Sequence, residues 1–529
     1  MSLYVSRLMP AYEYDEGEFF STDGAPSDVV SRRKAAFERL SRQLERRAPK
    51  TLALSDELAG GLSDVAFVNA YRVPFQFRKY VASRLHIGCV VEETDGARVR
   101  DLDGNWAYDL GGSYGVNLFG HEVYKRTMAR GFERAMPLGV TLGSYHPVIA
   151  DNVRRLKTLS GMDEISFHMS GTEAVMQAVR LARYHTGRSH LVRFCGAYHG
   201  WWDGVQAGVG NPRPAHEVYT LKEMDADTLA VLETRNDIAC VLVNPIQAMH
   251  PNGAPPSDST LVASDRAAHY DKQAYAAWLR KLRDVCTRRN IALIIDDVFM
   301  GFRLAPGGTQ EYFSVRADLV TYGKTLGGGL PVGVVCGRGT WMRRFREDRP
   351  ADVCFARGTF NSHPVVMATM NEFLRYLEEP EARATYRYLD ETWDARAGRL
   401  NALLEDEDLP VRVANMTSVF TTLYSEPSRY NWMLQYYLRA EGLALSWIGT
   451  GRIIFSHNLT DLDFGEIAAR FVRAARAMRD DGWWPEVHAL SNASIKRRVL
   501  REMLSAAALR AAAPSVLRGR APSGRAIRP

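Results

Sequence analysis

Lys324 stands in the stretch DLVTYGKTLGGGLPVG, where Gly323-Lys324-Thr325 has the ending of a phosphate-cradling loop. Such a loop needs glycine five positions ahead of the Gly-Lys pair, so that backbone N–H groups wrap the phosphates before the lysine. That position is Asp318, whose carboxylate repels polyphosphate, and Gly327, Gly328 and Gly329 follow the lysine instead of preceding it. A nucleotide site is disfavoured. A lysine at the end of an apolar run, beside flexible glycines, can instead approach a carbonyl and form an imine.

Other apolar runs also end in reactive or polar residues. After ISFHM comes Ser170-Gly171-Thr172-Glu173, feeding the helical AVMQAVRLARYH. A small turn before a helix leaves backbone N–H groups free at the positive dipole end, a seat for phosphate, although ordinary capped helices start the same way. GAYHG sets Tyr198 and His199 among glycines, where an aromatic can cover a flat heterocycle or simply pack. CVLVNPI presents Asn244, and IALIIDDV ends in Asp296 and Asp297. Burying such a carboxylate costs several kcal/mol unless something cationic meets it. One cofactor uses every part. Pyridoxal 5'-phosphate has a phosphate, a flat ring, a ring nitrogen kept protonated by a carboxylate, and an aldehyde for an amine.

The elements that must position these residues alternate. ISFHMS, HLVRFCGAY, CVLVNPI, IALIIDDV, LVTYGK and VGVVCG read as strands separated by helical stretches, which implies an α/β fold with a mostly parallel sheet covered on both faces. Ligands bind such sheets outside the carboxyl ends of the strands, which places Ser170, Tyr198, Asn244, Asp296 and Lys324 along one edge. Ahead of this region, CVVEETDGARVRDLDGNWAYDL has Asp-Gly turns that predict an antiparallel meander. The expected division is a helical extension over 1–60, the meander segment over 61–115, a large cofactor-binding domain over 116–364, a smaller α+β domain over 365–490 and a basic, partly disordered tail over 491–529. SRRKAAFERLSRQLERR in the extension reads as an exposed amphipathic helix, and 250–272 as an inserted loop near the expected site mouth.

Bulk composition excludes little. The 529 residues are 46% apolar and 24% charged, ordinary for a soluble globular protein. The net charge of +6 comes from the tail, where nine Lys or Arg face the single acid Glu502 between Lys496 and Pro529. That is no nucleic-acid footprint, which needs basic residues over a folded face. Six scattered cysteines, with no Cys-x-x-Cys and no Cys/His cluster, predict reduced thiols and no metal site. The acidic N-terminus and the lack of a long apolar run predict a cytoplasmic protein with no membrane span.

SGTEAVMQAVRLAR, YHG, DDVFMGFR, YGKTLGGGLPVG and GTFNSHP together resemble the class III pyridoxal-phosphate aminotransferases of fold type I, and among them the glutamate-1-semialdehyde 2,1-aminomutase branch. The resemblance spans about Cys89 to residue 480 and implies an aspartate-aminotransferase-like large domain with a seven-stranded sheet. It also implies that Lys324 carries the cofactor, that Asp296 faces the ring nitrogen, that Gly171 and Thr172 bind phosphate, and that Tyr198 stacks on the ring. Thr359 would reach the phosphate of the neighbouring subunit, in a homodimer with shared sites.

The chain departs from that pattern at Asn244-Pro245, where the family usually has Glu-Pro, so a neutral amide replaces an acid on the substrate side. Arg78 lies where the aminomutase has its substrate-carboxylate arginine, and Arg452 is a second candidate; a structural role is the commoner one for either. The expected activity is transfer of an amino group from an amine donor to an aldehyde or keto acceptor, in secondary-metabolite or lipid-like biosynthesis. The alternatives are intramolecular transfer by an aminomutase, or a substrate carried on an acyl-carrier protein.

Overall fold

The computed structural model describes residues 11–206, 211, 216–250, 252, 268, 270–446, 452–484 and 490–512. Most of the expected 250–272 insertion and the end of the expected tail, 513–529, lie outside the described residues.

The meander forms β1 (Glu93–Asp95), β2 (Arg98–Arg100) and β3 (Trp106–Asp109), paired antiparallel around the two Asp-Gly turns. Next come β4 (Glu164–His168), β5 (His190–Phe194), β6 (Val218–Leu221), β7 (Ile238–Val243), β8 (Ala292–Asp296), β9 (Leu319–Gly323) and β10 (Gly333–Gly337). These seven build one sheet in the order β4-β10-β9-β8-β7-β5-β6. Only β10 runs against its neighbours. Because β4 and β9 are both antiparallel to β10, β4 points the same way as the parallel strands, and its end shares their edge.

Every residue of β7, β8, β9 and β10 is buried, the pattern of strands covered on both faces. One face packs on helices that include His121–Ala135, Val148–Ser160, Lys272–Arg288 and Pro364–Tyr376; the other packs on helix Gly171–Thr186. β6 was absent from the strands expected from the sequence. It is a short, half-buried edge strand, and only β5 pairs with it.

A hairpin, β11 (Phe345–Arg346) and β12 (Arg349–Val353), follows the sheet. The C-terminal region adds β13 (Val411–Met416), β14 (Val419–Tyr424), β15 (Leu443–Ala444) and β16 (Ile453–Ile454). β13, β14 and β16 form their own sheet, whereas β15 pairs in parallel with β3 and joins the meander to this region.

Helix Ser27–Arg47 contributes to the core of the C-terminal region: Phe37 and Leu40 pack in one cluster with Trp393, Trp432, Phe471 and Trp483. Arg33 on this helix is buried, paired to both carboxylate oxygens of Asp23 at 2.8 and 2.6 Å and lying 4.5 Å from the Tyr430 ring centroid. The segment read as a tail begins as helix Asn492–Ala512. Its Glu502 accepts hydrogen bonds from buried Arg429 at 2.9 Å, from Tyr14 at 2.6 Å and from Tyr12 at 2.9 Å. Among the described residues no helix is long and apolar enough to cross a membrane, and no group of three or more His, Cys, Asp or Glu could hold a metal ion.

Candidate active site

β8 ends at Asp296 and β9 passes directly into Lys324, so the acid and the amine leave the same edge from adjacent strands. Asp296 is buried; its Oδ2 lies 2.8 Å from His199 Nδ1, and its Oδ1 accepts from Thr321 Oγ1 and the Val298 N–H, both at 3.3 Å. Across from this contact, His199 Nε2 is buried with no partner among the described residues. Asp297, expected to need a cation, meets a hydroxyl instead. Thr309 donates to it through both N–H and Oγ1, and burial pushes the carboxyl up to about 7.

Lys324 has φ 46°, in the left-handed region that non-glycine residues rarely occupy and that concentrates at functional sites. Burial pushes its amine below the ordinary lysine range; the nearby Asp296 charge opposes this and Arg452 adds to it. The Phe299 ring centroid is 5.8 Å from Lys324 Nζ and 5.7 Å from the Arg452 guanidinium. Behind Phe299 the turn at Gly115, with φ 94°, leaves room for that ring and for Lys324 Cδ, which a Cβ would meet at 3.5 Å.

The anion seat is built by close approach. Ser170 caps helix Gly171–Thr186 by accepting the Glu173 N–H at 3.2 Å, and Glu173 accepts the Met169 N–H at 2.9 Å. Val298 wedges between Gly171 and Gly323, where added Cβ atoms would meet it at 2.6 and 3.2 Å, tying the helix start to the acid and lysine strands. Gly200, with φ 89°, presses on Thr172; a Cβ there would come within 2.6 Å of Thr172 Oγ1. Tyr198 is 57% exposed, and Asn244 Nδ2 donates to its carbonyl at 2.8 Å.

Ser170, Gly171, Thr172, Tyr198, His199, Asn244, Asp296, Lys324 and Arg452 thus gather along one edge. Two sequence candidates lie outside these contacts. Arg78 opens helix Arg78–Ala82 and gives its Nε–H to Val73 O at 2.9 Å, and Thr359 is exposed in a loop after β12. Phe299, Thr321, Val298 and the Gly115 turn were not identified from the sequence; only the position of Val298 and Phe299 directly after the acid pair signalled them.

A family profile described as aminotransferase class-III matches residues 80–472. The chain belongs to the class-III aminotransferase family. Glutamate-1-semialdehyde 2,1-aminomutase of Hyperthermus butylicus is 32% identical over 342 residues, covering 63% of this chain and 76% of that protein. The enzyme of the same name from Hydrogenobaculum sp. is 30% identical over 355 residues, covering 64% and 77%. Among solved structures, a β-phenylalanine aminotransferase from Variovorax paradoxus superposes with TM-score 0.65 at 25% identity, covering 83% of this chain and 96% of that one. A glutamate-1-semialdehyde aminomutase from Pseudomonas aeruginosa shares the fold, with TM-score 0.67 at 19% identity and coverage of 85% and 99%.

The cofactor of this aminotransferase is pyridoxal 5'-phosphate, and the residues present fit it. A capped helix start offers free N–H groups, an exposed tyrosine can flank a ring, an imidazole-bonded carboxylate can meet a cationic nitrogen, and the Lys324 amine is biased toward its nucleophilic form.

Proposed function

We propose that this class-III enzyme moves an amino group between separate molecules, from a small amine donor to an aldehyde or keto acceptor. The pairing of His199 with Asp296 beside Lys324 supports the amino-transfer chemistry, and the neutral Asn244, where the resembling family usually has an acid, favours a changed substrate over the aminomutase's own. Pyridoxal phosphate, when bound, supplies an aldehyde for amines and a ring that withdraws electrons. Gly171 and Thr172 hold its anionic end with backbone N–H groups, and Tyr198 flanks its ring. Asp296, oriented by His199, holds a proton on the ring nitrogen. Lys324 Nζ would bind the cofactor at rest and, once the donor amine displaces it, would take the proton from the donor α-carbon and deliver it to the cofactor within the same half-reaction; the acceptor half-reaction would run these transfers in reverse.

Lys324→Ala is expected to abolish turnover and the borohydride-trappable bond to the protein; retention of both would refute the assignment. Intramolecular transfer is the second reading, supported by relatives that carry the aminomutase name. Time courses with and without added amine donor separate the two, since a mutase needs none beyond priming.

The same proposal includes a homodimer in which Thr359 reaches the neighbouring subunit's site. Exposed Val140, Tyr145, Phe355 and Phe360 offer apolar surface for that contact. The six cysteines, none in a disulfide, suit the cytoplasm. If the substrate belongs to secondary-metabolite or lipid-like biosynthesis and is delivered by an acyl-carrier protein, the carrier would be acidic and the basic tail would guide it. Deleting residues after Ala512, which leaves the Glu502 contacts in place, would then slow use of the carried substrate at low salt and spare free substrates.

A further inference from the structure

Two arginines far apart in sequence meet in the wall beside this site. Arg72 is only 7% exposed, and its Nε and Nη1 are buried with no partner among the described residues. Arg439, on helix Leu434–Ala440, gives Nη2 to Leu445 O at 3.1 Å and Ser446 O at 3.2 Å, while its Nε is buried with no partner among the described residues. The Ser446 hydroxyl is likewise buried with no partner among the described residues. Gln435 fixes the arrangement by donating to the Arg72 carbonyl at 2.7 Å from the same helix.

Burial pushes both guanidinium groups below their ordinary range; Arg72 adds to this at Arg439, Tyr436 and Tyr114 oppose it at each, Cys89 also opposes it at Arg72, and no carboxylate is among these neighbours. Tyr114, with φ 56°, belongs to the strained turn whose Gly111 packs on Ser446 and whose Gly115 packs on Phe299 and Lys324. The orphaned donors and the reactive amine therefore border one short turn. Burying two like charges without a counter-charge is strongly unfavourable, and a single carboxylate would neutralise only one of them.

We propose that Arg72, Arg439 and the Ser446 hydroxyl form a subsite for a dianionic oxyacid group, of the phosphate-monoester type, at the far end of the amine or carbonyl substrate. Forked guanidinium N–H groups suit such oxygens. This substrate class rests on the aminotransferase function above.

The test is calorimetry on protein saturated with pyridoxal phosphate, so that the cofactor's own anion seat is filled, with inorganic phosphate and acetate as probes. Phosphate is expected to bind at least about tenfold tighter than acetate and to compete with the amine donor. Arg72→Lys and Arg439→Gln should each weaken phosphate by about tenfold, the value of one charge-assisted hydrogen bond, while the trappable bond at Lys324 persists. Ser446→Ala gives a milder variant if either arginine change prevents folding, and it too should weaken phosphate. Equal affinity for the two anions, or phosphate binding indifferent to all three changes, overturns the subsite. Phosphate binding that follows these variants in protein lacking any trappable bond supports the subsite and refutes the aminotransferase chemistry instead.

Discussion

His199 Nδ1 and Asp296 Oδ2 lie 2.8 Å apart at the sheet edge, so a buried imidazole sets the direction of the acid whose charge acts on Lys324. Asp296→Asn keeps the shape and removes the charge. It should lower turnover by about 10²–10³, the cost of losing one preorganised electrostatic partner. His199→Asn leaves the charge but not its orientation and should cost about tenfold to a hundredfold, as loss of an orienting partner does at metal ligands. Steady-state kinetics on both variants check this; unimpaired Asp296→Asn contradicts the assigned role.

Arg452 and Lys324 both approach the Phe299 ring, and the arginine helps burial hold the amine below its ordinary range. A group pushed down by a neighbouring cation rises when that cation goes. Arg452→Met should therefore shift the pH profile for covalent cofactor uptake by the apoprotein toward higher pH. Uptake rates across a pH series give the answer, and an unmoved or downshifted profile would show that Arg452 does not act on Lys324.

Gly200 occupies a left-handed position against Thr172. Gly200→Ala adds strain and a clash together, an expected loss of about 1–3 kcal/mol that falls on the anion seat. Cofactor dissociation measured by dialysis should be faster, with the midpoint of urea unfolding of the apoprotein lowered as well.

Glu223 is buried, accepts the Tyr275 hydroxyl at 2.6 Å, and is pushed by burial from 4.5 up to about 8. A carboxyl raised in the folded state binds its proton more tightly there than when unfolded. Its stabilising contribution is complete below pH 4.5 and declines as pH rises toward 8, by about 1.4 kcal/mol per pH unit. Glu223→Gln keeps an acceptor for Tyr275 and removes the titration. Urea unfolding at pH 5 and pH 8 should show the variant gaining on the parent protein at the higher pH; a constant difference would mean that Glu223 titrates normally.

Most of the site was legible because its residues sit at the ends of strands, and strands of all-buried residues such as Ile238–Val243 announce themselves as apolar runs. β6 was not, since a four-residue, half-buried edge strand carries no such run. Arg33 looked like surface charge on a charged helix; Asp23 and Tyr430, which bury it, arrive only through tertiary folding. The same holds for Arg72 and Arg439. Each is an ordinary arginine until helix Leu434–Ala440, whose Gln435 holds the Arg72 carbonyl, brings their segments together.

Glu502 grips Arg429, Tyr12 and Tyr14 at once. During synthesis Tyr12 and Tyr14 must wait for a further 490 and 488 residues before their acceptor exists. The nascent protein thus carries an unfinished layer until Glu502 has emerged, and a fusion partner placed early would be tolerated only if it left this late closure free.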